Sequence, residues 1–271
     1  MHIDEIIQTI NSTQQLDGDT NQVQLALNDT WAQGRTVYGG VSAGIAYAVA
    51  KPLVSDDRVL RSMSVNFVGP LVYDSAFTVI AKTLRSGKNV SQLQVQILQQ
   101  DKVCLAALIC FGVGRASKLK VNKGLTHALP EPQKAKFIPQ IPKVTPRFLR
   151  HFDLSIEEGG VPFMNGKKSH YYGWMRFKQA PSVITDVHLI TLIDAWPPTL
   201  LQQLKWPAPA STVSWNIEFL HPHRPVQPTD WFAYKAETRQ AGEGYGHTEA
   251  NIWDAAGELI ALSRQTVAVF D

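Results

Sequence analysis

The feature that most constrains this chain is internal: its two halves repeat one another. Val65-Asn66-Phe67-Val68-Gly69-Pro70 returns as Ile217-Glu218-Phe219-Leu220-His221-Pro222, an offset of 152 from Phe67 to Phe219. Ten residues on, Phe77, Ala81, Thr83 and Gly87 recur as Phe232, Ala236, Thr238 and Gly242, an offset of 155. A repeat over about half the chain, with one three-residue insertion, calls for two copies of one domain. A length of 271 residues accommodates two domains of ordinary size. The expected division is a first domain at 1–114, a connector at 115–146 and a second domain at 147–271. The repeat also allows a comparison: where the copies differ chemically, one has been specialised.

Local patterns are alike in the two copies. Residues 2–10 read as a short amphipathic helix, 22–27 as a strand and 28–35 as a loop. The segment from Tyr38 to Lys51 is almost wholly small and apolar, the pattern of a helix buried on most sides. Strands rich in Val, Ile, Leu and Phe follow at 60–68, 76–85, 92–99 and 103–113, separated by turn signals such as Gly69-Pro70 and Ser86-Gly87. The second copy opens with strands at 152–156 and 170–177. A helical segment at 186–204, interrupted by Pro197-Pro198, comes next. Strands at 211–220, 231–239, 245–253 and 259–269 complete it, with Asp254-Ala255-Ala256-Gly257 as a hairpin turn. One buried helix followed by a consecutive antiparallel run predicts an α+β fold, a sheet wrapped around a central helix, built twice.

Composition narrows the functional classes. Hydrophobic residues at 44% and charged ones at 18% describe an ordinary globular chain, and no apolar run is long enough for a membrane span. The N-terminus lacks a secretory pattern, which makes the cytoplasm the expected location. A net charge of +3 is too small to suggest nucleic acid. The charge is uneven, however: residues 115–150 hold nine Lys/Arg and one acid, Glu131. A solvated connector is the simpler reading of that stretch, and an electrostatic landing surface for a multiply phosphorylated small molecule is the functional one. Cys104 and Cys110 share one predicted strand face, too extended for a bridge, and no metal-ligand spacing surrounds either.

Three motifs carry chemistry. Gly40-Val41-Ser42-Ala43-Gly44 satisfies the serine-hydrolase elbow pattern, but that elbow needs several strands before it and alternating helices after it. Only 41 residues precede Ser42, and strands follow one another without helices; the expectation is small residues packing a helix close against a sheet. His221 and His223 form an H-x-H without an evident third ligand, so no metal is expected there. Asp194 lies in the apolar run Leu189–Trp196, where a carboxylate is costly and is paired, functional or a helix cap. The repeat separates these readings. Its first-copy helix, Gly39–Ala50, has no acid; Thr212 corresponds to Leu60; and Gln265, at offset 155, corresponds to Cys110. An acid, a hydroxyl and a carboxamide on apolar elements of one copy only make a candidate site, in which the carboxylate activates water or attacks directly.

These residues bring the chain to a family. It resembles the acyl-CoA thioesterase II (TesB-like) group over nearly its whole length. The resemblance rests on Val37-Tyr38-Gly39-Gly40, Arg61–Phe67 and Leu84–Lys88 in the first half. In the second it rests on Asp194, on Thr212-Val213-Ser214 leading to Phe219, and on Gly257–Ala261 leading to Gln265. It departs from that group at Val41, where Gln is usual, at Ser86 and Lys88–Asn89, and at Ser214-Trp215, where an acid–His pair is common. The resemblance implies a double hotdog, two tandem domains forming an intrachain pseudo-dimer. It implies thioester hydrolysis with Asp194, Thr212 and Gln265 activating water, no cofactor, and a small-molecule acyl-CoA as partner, without nucleic acid or membrane. Homo-oligomers of the double-hotdog protomer are compatible with it. The pocket would lie between the halves, with the helix start at Tyr38, Gly39 and Gly40 offering amides to the thioester carbonyl. Alternatives are a non-catalytic ligand-binding hotdog module and, more distantly, a serine esterase using Ser42.

Overall fold

The structure is a computed structural model that describes residues 1–119, 121, 126–132 and 145–270. It opens with α1 (Ile3–Thr13), whose Ile3, Ile6 and Ile10 recur at helical spacing and are buried. A hairpin, β1 (Gln15–Asp17) and β2 (Thr20–Leu25), turns at Gly18, whose φ of 54° suits glycine. The stretch expected as a loop carries a 3-10 turn at Asp29–Trp31 and a small hairpin, β3 (Ala32–Gln33) and β4 (Thr36–Val37). Helix α2 (Gly39–Ala50) follows, then β5 (Arg58–Phe67), β6 (Phe77–Ser86), β7 (Val90–Gln99) and β8 (Lys102–Val113). The second copy supplies β9 (Phe152–Glu158), β10 (His170–Phe177), α3 (Asp186–Ile193), β11 (Ala210–Phe219), β12 (Phe232–Gly242), β13 (Tyr245–Trp253) and β14 (Leu259–Val269).

Twelve of these strands form one sheet in the order β1-β2-β6-β7-β8-β5-β11-β14-β13-β12-β10-β9. The order is a palindrome about the β5–β11 joint, where Met63 pairs with Ile217 and Val65 with Trp215. The doubling seen in the sequence is therefore a pseudo-twofold of the molecule. Irregularities are duplicated too. Bulges between Leu60 and Ser62 and between Thr83 and Arg85 recur between Thr212 and Ser214 and between Thr238 and Gln240. Inside the sheet, alternating residues such as Val79, Val95, Ile109, Ile217 and Ile252 pack around the two central helices.

The helices account for two differences from expectation. Helix α3 stops at Ile193, ahead of Pro197-Pro198, and the chain resumes as a 3-10 turn at Thr199–Gln203; two prolines cannot supply the N–H groups that a continued helix needs. The small residues of α2 serve a second helix as well as the sheet: α2 packs on β6, β7 and β8 as expected, and its glycines face α3. A methyl on Gly40 would meet the Thr191 carbonyl at 2.8 Å, and one on Gly44 would meet Thr191 Oγ1 at 2.5 Å. Ser42, inside the same helix, donates to the Tyr38 carbonyl at 3.0 Å and is buried. It stands on no strand-to-helix elbow, so the serine-hydrolase geometry is absent there.

Much of the basic connector, and with it most of the proposed phosphate-facing surface, lies outside the described residues. Its described part is not simply solvated. The Trp174 indole donates to the Pro130 carbonyl at 2.8 Å, and the His127 ring meets Trp174 and Trp253 edge-on. Both cysteines are free thiols on β8. No described helix is long and apolar enough to cross a membrane.

Candidate active site

Asp194 takes the C-terminal cap of α3, with φ −84° and ψ 3°. An anion at a helix C-terminus faces the negative end of the dipole. What compensates is the start of α2, which runs up against it. The Gly40 backbone N–H bonds the Asp194 carboxylate, and a methyl on Gly39 would come within 3.1 Å of Asp194 Oδ2 and of the Phe67 ring. Glycine at 39 thus lets the helix terminus approach the acid closely.

The two strand residues join this carboxylate in a chain. Gln265 Nε2 donates to Asp194 Oδ1 at 2.7 Å, and Thr212 Oγ1 donates to Gln265 Oε1 at 3.3 Å. Each side chain is partly buried. Thr212 faces inward because of the β11 bulge: Val213 is the extra residue between Thr212 and Ser214, so Thr212 lies on the same face as Trp215 and Ile217. The structure therefore brings the three sequence candidates together, with Gln265 central and Thr212 reaching Asp194 only through it.

One register assignment changes. Trp215 pairs with Gln265 as Met63 pairs with Ile109, so the counterpart of Gln265 is Ile109 and the offset on the last strand is 156. Cys110 pairs with Ser62, as Thr266 does with Ser214, and lies on the opposite face. The cause is the preceding turn. The first copy turns on two residues, Gln100 and Asp101, both with positive φ. The second uses the three residues Ala255-Ala256-Gly257, with Gly257 at φ 81° and Asp254 Oδ1 accepting from Ala256 and Glu258. The contrast between copies survives the correction, since Leu60 and Ile109 are both fully buried hydrocarbons.

Burial pushes the Asp194 pKa from 3.8 up to about 7, against the lowering effect of the Gln265 and Gly40 hydrogen bonds. Two buried phenols complete its surroundings. Burial and the Asp194 charge push the pKa of both Tyr38 and Tyr234 up, which keeps them neutral. Tyr38 is engaged elsewhere: its N–H donates to the Trp31 carbonyl at 2.9 Å and its hydroxyl to the Thr191 carbonyl at 2.8 Å. Its ring stacks on Phe148. Of the expected oxyanion donors, Tyr38 is thus committed to structure and the Gly40 amide is engaged with Asp194, leaving the Gly39 amide. Tyr234, stacked on Trp196, was missed from sequence; its counterpart at offset 155 is Val79, the same polar-for-apolar signal that marks the trio.

Two helices back to back inside one antiparallel sheet that is palindromic about a central joint, with the polar chain at a helix-end junction, define a double hotdog. A hotdog-fold protein from Alicyclobacillus acidocaldarius superposes with a TM-score of 0.79 at 20% identity, over 98% of each chain. An acyl-CoA thioesterase II from Mycobacterium marinum gives 0.72 at 17% identity, over 98% of this chain and 97% of that one. Among curated proteins, Acyl-CoA thioesterase 2 of Haemophilus influenzae is 25% identical over 264 residues, 85% of this chain and 86% of that one. Residues 27–112 match the acyl-CoA thioesterase N-terminal domain and residues 127–269 the acyl-CoA thioesterase C-terminal domain. The chain belongs to this acyl-CoA thioesterase family.

Proposed function

We propose that this protein hydrolyses acyl-CoA thioesters, with Asp194 as the base that activates water. The observation that carries this reading is a carboxylate at a helix-end junction held by Gln265 at 2.7 Å, with Thr212 behind it; burial pushes its pKa up to about 7, where a general base works well near neutral pH. In the proposed step, Asp194 takes a proton from water as the water oxygen attacks the thioester carbonyl carbon. The tetrahedral intermediate collapses with cleavage of the C–S bond, and the proton returns to the departing CoA sulfur. Gln265 holds the carboxylate in line, and Thr212 fixes which end of the Gln265 amide faces it. The Gly39 amide, at the positive end of α2, is the available donor for the developing oxyanion.

The test is free-thiol release from short, medium, long and aromatic acyl-CoAs. Asp194→Asn is expected to lower kcat about 10²–10⁴-fold, the usual worth of a general base, and Ser42→Ala to retain turnover. No release by the unsubstituted protein across the panel would favour a ligand-binding hotdog without turnover.

A further inference from the structure

The pseudo-twofold creates a position that mirrors the Asp194 site, and its chemistry has been replaced rather than deleted. Helix α2 begins at Gly39 and α3 at Asp186, an offset of 147, so Asp194 corresponds to Tyr47 and Gly39 to Asp186. The contact persists with its partners exchanged: Gly39 lies against Asp194, and Tyr47 Oη donates to Asp186 Oδ2 at 3.0 Å. Leu60 and Ile109 take the places of Thr212 and Gln265, which removes the hydrogen-bonded chain. In the segment after the joint strand, at offset 152, Gly69 and Leu71 become His221 and His223.

The third ligand that the H-x-H lacked in sequence is therefore present in space. Ligand atoms of Asp186, His221 and His223 lie within 4.8 Å of one another, on three partly buried residues. Nε2 of both histidines is buried and has no hydrogen-bond partner among the described residues. A native buried polar atom left in that condition calls for a partner. The Leu60 backbone accepts from the His221 ring, and an imidazole that gives one N–H to a carbonyl presents its other nitrogen as a lone pair, the usual outer-sphere arrangement of a metal-binding imidazole. Tyr47 orients the carboxylate in the same way.

We infer that Asp186, His221 and His223 form a binding site for a divalent transition ion of the zinc class. Two imidazoles and one carboxylate favour such an ion over magnesium or calcium, which take oxygen ligands. Zinc–ligand bonds of about 2.0–2.1 Å place tetrahedral ligands about 3.3 Å apart, so the three groups must draw inward. The histidine rings, stacked at 4.1 Å and 18°, must tilt until their lone pairs converge. Lys51 and Arg61 stand close enough to act on Asp186 and His221; their charge opposes a cation and makes this a weaker site than a closed structural one. Its ligands come from the second copy, while Tyr47 and Leu60 of the first hold them in place. A bound ion would tie the start of α3 to the segment after β11, at the end without the hydrolytic chain.

Calorimetric titration of chelator-treated protein with zinc chloride tests this, with magnesium chloride as the comparison and thermal melting alongside. One zinc per chain, a melting temperature raised by zinc, and no magnesium binding are expected. His221→Gln/His223→Gln should lose the zinc response while melting near the unsubstituted protein without metal. If that pair fails to fold, His223→Gln alone should lose it. Tyr47→Phe should weaken binding about 10–100-fold, as loss of an orienting partner does. Failure of the folded, unsubstituted protein to bind zinc, or binding that survives the histidine substitutions, overturns the assignment. These readouts do not depend on turnover, so they stand apart from the hydrolytic reading.

Discussion

At the scale of single residues, Asp194 holds opposing demands in one group. Burial and a helix C-terminus disfavour its charge, while Gly40 and Gln265 favour it. Burial wins, at about 7. Between about pH 4 and 7 the folded chain keeps a proton that the unfolded chain has released, so stability falls as pH rises through that window. Asp194→Asn removes the ionisation. It is therefore expected to raise the melting temperature at pH 8 and to leave it nearly unchanged at pH 4, while hydrolysis collapses. The net gain at pH 8 is on the order of 1 kcal/mol, because the new amide meets the Gly40 N–H less well than a carboxylate does. A melting temperature that falls at pH 8 counts against the raised pKa. For the unsubstituted protein, kcat/KM should rise with pH through about 7, and Gln265→Leu should move that limb to higher pH by removing a donor that favours the anion.

Elements explain which parts of the site were legible in the sequence. Strand and helix positions followed from hydrophobic period, and the asymmetry between copies pointed to Asp194, Thr212 and Gln265 before any contact was visible. What sequence could not show was set by turns and by distance along the chain. A two-residue turn in one copy and a three-residue turn in the other shifted the last strand by one position, which put Cys110 where Ile109 belongs. Asp186 is 35 residues from His221, so no local spacing joins it to the H-x-H. The α2–α3 contact was half legible: the glycines were evident, their partner was not. Gly44→Ala places a methyl 2.5 Å from Thr191 Oγ1 and 3.1 Å from the Val187 carbonyl. Overpacking of this kind costs about 1–3 kcal/mol, so a clear fall in thermal midpoint is expected. Adding Thr191→Ala removes the nearer obstacle and should restore part of it. A Gly44→Ala protein as stable as the parent would mean that the helices can separate freely.

On the scale of the whole molecule, the proposed site is divided between the copies. Asp194, Thr212 and Gln265 come from the second, while the helix terminus that bonds the carboxylate comes from the first. The copies are also continuous through β5 and β11, which pair from Ser62 to Asn66 and from Ser214 to Glu218. Separating the halves uncovers two long strand edges together with the apolar faces of α2 and α3. Exposed edges of that kind seek another strand. Residues 1–121 and 126–271, produced separately, are therefore each expected to be inactive and to self-associate or aggregate. Produced together, they should pair through β5 and β11, rebuild the Gly40–Asp194 contact and recover thiol release. The second fragment keeps His127 and Pro130, which cover Trp174 and Trp253 on its sheet. Size-exclusion chromatography with the thiol assay reads both outcomes. Turnover by residues 126–271 alone would show that the first copy is dispensable for chemistry, and that the helix terminus at Gly39 and Gly40 only supports the fold.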